Sequence, residues 1–257
     1  MKINHISVSR LGVWNTCQKQ YWYKYDQQIE SNEPEKPYFL YGKLVHKIAE
    51  CYVAARGDRT IGEVTNDVLT GKIPLEREGN VKCPPLPAEY KTKLPEHLAS
   101  IKKLTKQIGM EGELEKPFLY DLDPPHNRNV KGFIDRVIRK RDHFFLLDYK
   151  TSKKNYFRKN SSNITRDLQL RTYARVIQRE YNVPAANIRA ALYYLEGSEL
   201  IGCIFSEQSL NSVEKELLEV YKQIEATPET EAWGNVGDCC KRCDFARICP
   251  HRRLTMN

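Results

Sequence analysis

"GFIDRVIRKRDHFFLLDYKT", residues 132–151, reads as two short β-strands back to back, with charges set where strands bury apolar side chains. The apolar runs on either side of Lys140, Arg141 and Asp142 predict strands over 129–138 and 143–149 joined as a hairpin. Strand side chains alternate faces, so Asp148 and Lys150 share one side and Tyr149 takes the other. The hairpin also brings Asp135 near Asp148. A carboxylate taken out of water is costly unless something neutralises it, and two of them converging call for a cation between them. A hard divalent ion such as Mg²⁺ takes oxygen ligands, so Asp135, Asp148 and a nearby backbone carbonyl form a candidate site. Lys150 is then placed to orient a water nucleophile or to stabilise charge developing on a phosphate. The plain alternative is a surface ion pair between Asp148 and Lys150, which a D-x-K triplet often makes.

Outward from the hairpin, "YGKLVHKIAE" (41–50) predicts a helix starting near Tyr41, with Leu44, Val45, Ile48, Ala49 and Tyr52 as its buried face. Gly42 lies one turn before His46, and His46 is next to the apolar stripe, within reach of a neighbouring site; the alternative is a packed histidine. Downstream, "LQLRTYA" (168–174) places Gln169 and Tyr173 four apart on one helix face. The same spacing also suits an ordinary polar helix edge. The stretch 7–25 predicts one helix with Ser7 as N-cap and Leu11, Trp14, Gln18, Tyr21, Trp22 and Tyr25 at helical spacing, Cys17 on its inward side. Residues 57–87 are mixed, with prolines marking loops. A helix follows over 88–109, a strand over 113–121, helical spacing over 161–181, strands over 188–195 and 200–205, and a helix over 207–225. This order predicts an α/β domain whose mixed sheet is covered by helices, with no second core.

A chain of 257 residues can bury such a core. Its formal charge of +8 suits a polyanionic partner. No stretch approaches the roughly 18 apolar residues of a membrane-spanning helix, and "MKINHISVSR" lacks an apolar signal core. The expectation is an intracellular, cytoplasmic protein with no membrane partner, whose eight cysteines are reduced. Cys51, Cys83 and Cys203 are scattered and read as buried thiols, with Cys239 as a bystander of the cluster at the end. There, Cys240-x2-Cys243-x5-Cys249 is followed by Pro250; three such thiolates and one from elsewhere suit tetrahedral zinc or a [4Fe–4S] cluster, and spacing does not choose between them. The stretch "KTSKKNYFRKNSSNITR" (150–166) is basic with aromatics interleaved. Lys153, Lys154, Arg158 and Lys159 are candidate phosphate contacts and Tyr156 and Phe157 candidate base-stacking residues, with a solvated loop as the alternative. Arg136, Arg139, Lys140 and Arg141 could add to the same field. No GxxxxGK[ST] loop is present, so the chain is not its own helicase motor.

The ordered set GxxxH (Gly42, His46), GFID (Gly132 to Asp135), DYK (Asp148 to Lys150) and QLxxY (Gln169 to Tyr173) resembles the RecB-type branch of the PD-(D/E)xK nucleases, from about residue 7 to the end of the chain. The resemblance implies a restriction-endonuclease-like fold, a mixed central sheet flanked by helices. It implies that His46, Asp135, Asp148 and the Tyr149 carbonyl hold Mg²⁺ or Mn²⁺, that Lys150 assists the attacking water, and that Gln169 and Tyr173 position substrate or lysine. Glu115, in "ELEKPF", matches an acid often seen on the strand before GFID, supporting the ligands rather than joining them; at Asp148 the family also uses glutamate. "RLGVWNTCQKQYWYKY" with the C-terminal CxxC-x5-CP triplet resembles a subgroup that includes CRISPR-associated exonucleases and AddAB-type nuclease subunits. That likeness implies a [4Fe–4S] cluster on Cys17, Cys240, Cys243 and Cys249. The cluster would join 1–30 to 228–257 around a nuclease core at 40–205 within a single domain spanning 1–257. The implied activity is phosphodiester hydrolysis, most simply exonuclease action on single-stranded or end-bearing DNA, in CRISPR adaptation, phage DNA metabolism or recombination and repair, alongside helicase, CRISPR or recombination proteins. The rival expectations are a non-cleaving DNA-binding subunit of the same fold and a zinc-stabilised nucleic-acid-binding protein.

Overall fold

Five strands, β1 (Glu113–Asp123), β2 (Arg128–Lys140), β3 (His143–Lys150), β4 (Ile188–Tyr194) and β5 (Glu199–Ile204), form one sheet in that order in the computed structural model, which describes residues 3–31, 35–75, 84–152 and 158–253. The helices are α1 (Val8–Thr16), α2 (Gln18–Tyr21), α3 (Pro37–Ala54), α4 (Ile61–Leu69), α5 (Ala88–Ile108), α6 (Leu168–Tyr181), α7 (Glu207–Ala226) and α8 (Pro250–Arg253). β2 and β3 form the antiparallel hairpin the sequence predicts; Arg136 opposite Leu147 is the last pair at its open end, next to Asp135 and Asp148. Arg141, at φ 58°, supplies the left-handed residue that a tight hairpin turn requires. β3 and β4 run parallel and β4 and β5 antiparallel. A parallel pair needs a crossover, and α6 provides it.

The chain divides into two compact units, Glu35–Lys116 with Phe133–Leu210, and Met1–Pro34 with Pro117–Gly132 and Asn211–Asn257. In the first unit, Pro37 starts α3 at a position where its missing N–H costs nothing. The Leu40, Tyr41, Leu44, Val45, Ile48, Ala49 and Tyr52 stripe of α3 packs with α4 and α5 against Leu147, Tyr149, Ala191 and Tyr193 on one sheet face. Burial of each large side chain stabilises by about 1.5–3 kcal/mol. α4 falls inside the 57–87 stretch expected to be mixed; a capping box fixes its start, Thr60 Oγ1 accepting from the Glu63 N–H while Glu63 accepts from the Thr60 N–H. α6 packs on β3 and β4. It begins at Leu168, capped by Asp167, not at 161. Ahead of it, Asn160 and Asn163 side chains accept backbone N–H bonds and hold turns instead of helix.

In the second unit, the helix expected over 7–25 is broken at Cys17, whose backbone is extended (φ −163°, ψ 111°). Distant residues replace its internal bonds: the Lys19 N–H donates to the Trp233 carbonyl at 3.1 Å and Asn235 Nδ2 to the Thr16 carbonyl at 3.0 Å. After α2 the chain makes a π-helical turn over Trp22–Asp26. Ile6 bridges to Val130 in parallel. Gly132 is a close approach, because a Cβ there would meet Phe118 Cζ at 2.7 Å. No described helix is long and apolar enough to cross a membrane.

Candidate active site and cysteine pocket

Three elements of the first unit converge on one point. His46 comes from α3, Glu115 from β1 and Asp135 from β2. One ligand atom from each lies within 4.8 Å of the other two, and His46 Nδ1 is 3.3 Å from Asp135 Oδ2. Glu115 has φ 46°, a left-handed conformation that costs a non-glycine residue about 1–2 kcal/mol. An imidazole and two carboxylates this close form a donor set suited to a divalent ion such as Mn²⁺ or Mg²⁺. His46 and Asp135 shift each other in opposite directions. Burial works against protonating His46, yet the charge and hydrogen bond of Asp135, with Asp148 behind it, push its pKa up to about 9. Burial alone would raise Asp135, but His46, the Tyr149 N–H and Lys150 outweigh it and hold its carboxyl below the usual range. That Tyr149 N–H donates to Asp135 Oδ2 at 2.8 Å.

Next to the trio, the DYK strand forms a second, closed network. Asp148 is only 2% exposed, which removes the surface-ion-pair alternative. Lys150 Nζ is 2.7 Å from Asp148 Oδ2 and donates to Gln169 Oε1 at 2.8 Å. Gln169 Nε2 donates to Asp148 Oδ1 at 2.8 Å and to the Tyr173 hydroxyl at 2.7 Å. Burial, with the charge of Asp135 added and Lys150 opposing, pushes Asp148 up to about 6. Burial would lower Lys150, but the carboxylate of Asp148 raises it above its ordinary value. Burial and the charges of Asp148 and Asp135 raise the Tyr173 hydroxyl well above its usual range. Gln169 and Tyr173 therefore share one face of α6, as the four-residue spacing predicts.

The expected ligand set named Asp148 and the Tyr149 carbonyl, with Glu115 in support. The geometry groups Glu115 with His46 and Asp135 and engages both Asp148 oxygens with Lys150 and Gln169. A groove of about 900 Å³ opens over the trio, with Tyr38, Phe39, Lys43 and Phe133 in its walls. Of the candidate nucleic-acid contacts, Lys153, Lys154, Tyr156 and Phe157 lie outside the described residues. Arg158 pairs with Glu199 and lies 4.3 Å over the Tyr194 ring, and Lys159 Nζ is 3.8 Å from Asp167. Arg136 does not join a surface field: it is fully buried and donates to the Gly109 and Glu111 carbonyls.

In the second unit, Cys17, Cys240, Cys243 and Cys249 line one pocket, together with Cys239, Tyr23 and Asn235. Cys17 stands at the break between α1 and α2. All five are free thiols. Cys239 Sγ donates to the Asn235 carbonyl at 2.9 Å and Cys240 Sγ reaches the same oxygen at 3.7 Å. Burial, with Cys17 and Cys249 adding to it, pushes Cys243 up to about 11. Four thiols on one pocket fit a cluster or zinc by donor chemistry. Among the described residues, however, His46, Glu115 and Asp135 form the one set of three donors drawn within 4.8 Å. Cys51 and Cys203 are not among the residues lining the pocket, and Cys83 lies outside the described residues.

A mixed sheet carrying a buried Asp-x-Lys beside a His/Glu/Asp group that could hold a metal ion suits a divalent-metal hydrolase. Residues 5–250 match the family model of the PD-(D/E)XK nuclease superfamily, and the chain belongs to that superfamily. It is thereby a metal-dependent nuclease, a hydrolase of phosphodiesters. Among solved structures it is similar to a candidate exonuclease from Eubacterium rectale, at TM-score 0.54 and 13% identity over 93% of this chain and 88% of that one. SSO0001 aligns at TM-score 0.47 and 15% identity, over 98% of this chain and 88% of that one. No curated protein matches the sequence.

Proposed function

We propose that this chain is a DNA exonuclease of the RecB-like branch, acting on single-stranded or end-bearing DNA and carrying a [4Fe–4S] cluster on Cys17, Cys240, Cys243 and Cys249. The observation that carries the nuclease part is the closed Asp148–Lys150–Gln169–Tyr173 network beside the His46, Glu115 and Asp135 group. His46, Glu115 and Asp135 would hold a divalent ion, with Asp148 and the Tyr149 carbonyl as further candidate ligands, and the bound ion would supply Lewis acidity toward the scissile phosphate and its attacking water. Lys150 holds that water and stabilises charge on the phosphoryl oxygens. Gln169, tied at both ends of its amide, fixes the Lys150 ammonium against Asp148, and Tyr173 keeps the amide from turning. The resemblance to exonucleases, and to a candidate exonuclease in fold, favours attack at ends.

The five thiols on one pocket support the cluster, and the likeness of both terminal segments to iron–sulfur nucleases selects it over zinc. The reduced cysteines suit a cytoplasmic setting. The wider setting of CRISPR adaptation, phage DNA metabolism or recombination and repair, with a helicase or other partner, rests on that resemblance alone. Anaerobic purification with metal analysis tests the cluster. Brown protein with about four irons per chain, bleached in Cys17→Ala, supports it; colourless protein holding one zinc replaces it with the zinc-stabilised binder. A folded protein that binds DNA and cleaves none with Mn²⁺ or Mg²⁺ is the non-cleaving subunit.

A further inference from the structure

We propose that Tyr38, Phe39 and Phe133 form a platform on which unpaired bases stack beside the metal group, so that the groove selects single-stranded over duplex nucleic acid. The proposal rests on the nuclease reading of the same site and names what that site holds. Phe39 is 55% exposed, Tyr38 43% and Phe133 42%. Single exposed apolar residues are ordinary, but these three line one groove, the one that also contains His46, Glu115 and Asp135. The Tyr38 and Phe39 rings lie 4.4 Å apart at 43°.

The placement follows from the elements. The face of α3 away from its buried stripe carries Phe39, Lys43, His46 and Glu50 at helical spacing, and all four line the groove. Seven residues at 1.5 Å rise put Phe39 about 10 Å from His46 along the helix. At roughly 3.4 Å per stacked nucleotide, a base on Phe39 lies about three nucleotides from a phosphate at the metal group. Phe133 is two residues before Asp135 on β2 and shares its face. Lys43 lies between Phe39 and His46 on α3 and Lys47 follows His46; both line the groove, paired at 2.8 Å with Glu35 and at 2.9 Å with Glu50. Phosphates passing the groove would compete for both ammonium groups, and a divalent ion on the trio would offset the charges of Glu115 and Asp135. Aromatic faces capture only bases whose own faces are free; in a duplex those faces are already stacked. An unpaired strand therefore matches rings, cations and metal group together.

The test uses the full-length protein with Ca²⁺ in place of a catalytic ion. The probes are a single-stranded oligonucleotide carrying 2-aminopurine, whose fluorescence falls on stacking, and the matching blunt duplex. Phe39→Ala and Phe133→Ala should each weaken single-strand binding about tenfold and remove the quenching, with little change for duplex. Phe39→Trp and Phe133→Trp should restore both, and Leu119→Ala, which removes an exposed side chain not lining the groove, should match wild type. Circular dichroism confirms that each variant is folded. Single-strand affinity within about twofold of wild type in the alanine variants would overturn the platform. So would equal losses for duplex, or failure of tryptophan to restore quenching, with the rings then a contact for protein or for a second copy. Because no readout needs cleavage, quenching by a protein that never cuts DNA would sink the nuclease reading and leave the platform standing. Cleavage with unchanged affinities in the variants would do the reverse.

Discussion

Arg136 offers a quantitative test of how the active hairpin is held. Its side chain is fully buried in the middle of β2, and its guanidinium donates to the Gly109 carbonyl at 2.8 Å and to the Glu111 carbonyl at 2.7 and 3.1 Å. Gly109 caps the C-terminus of α5, where carbonyls lack helical partners and a cation is favourable. Arg136→Met keeps the volume and deletes the donors. Each carbonyl loses a charge-assisted bond of about 1.5 kcal/mol, partly offset by no longer burying the guanidinium, for a net loss of about 1–2 kcal/mol. Arg136→Ala also removes the stem, at about 0.8 kcal/mol per methylene, and brings the loss to about 3–4 kcal/mol. At about 2–4 °C per kcal/mol for a chain of this size, the melting midpoint should fall by about 4 °C for methionine and about 10 °C for alanine. Thermal scans and urea titrations by circular dichroism measure both. DNA affinity should keep its salt dependence in the methionine variant, as a phosphate-contacting arginine would not allow. Stability within about 0.5 kcal/mol of wild type in both variants, a fraction of the loss worked from these bonds, would refute the reasoning, and so would a shallower salt slope.

His97 is fully buried, with Nδ1 2.8 Å from the Tyr41 hydroxyl and Nε2 without a hydrogen-bond partner. Burial lowers its pKa from the ordinary 6.5, so the folded state favours the neutral ring. Its contribution is whole above about pH 6.5 and drains away as pH falls below that value; urea midpoints between pH 7.5 and 5.5 should drop more steeply in wild type than in His97→Leu. Gly132→Ala should destabilise by about 1–3 kcal/mol through the clash of its Cβ with Phe118, and Phe118→Leu in the same chain should recover part of it in urea titrations. Thr60→Ala should cost about 1 kcal/mol by the same measurement, because it removes both the acceptor for the Glu63 N–H and half of the capping box at α4.

The hairpin was legible in the sequence because apolar alternation and misplaced charge coincide there, and Asp135, Asp148 and Lys150 meet as that pattern requires. Gln169 and Tyr173 were legible because four-residue spacing fixes a shared face once the helix is known. Arg136 looked like a surface cation beside Arg139, Lys140 and Arg141, although it has the parity of Ile134 and Ile138, both buried; that parity was the available signal. The T-x-x-E at Thr60 and Glu63 is the sequence signal for α4, within a stretch whose prolines read as loops. The break at Cys17 was not readable locally, because the bonds that replace helix come from Trp233 and Asn235, far along the chain. Glu115 joins His46 and Asp135 through tertiary placement of a left-handed residue in β1, which no period in the sequence encodes.

Digestion of end-labelled single-stranded DNA with Mn²⁺, Mg²⁺ or EDTA, comparing wild type with Asp135→Ala, Asp148→Ala and Lys150→Ala, tests the central claim most directly. The expected result is metal-dependent degradation in wild type, lost by a hundredfold or more, roughly, in each folded variant, with the label that disappears first giving the polarity. Degradation that survives EDTA, or that persists in folded Lys150→Ala, would contradict it.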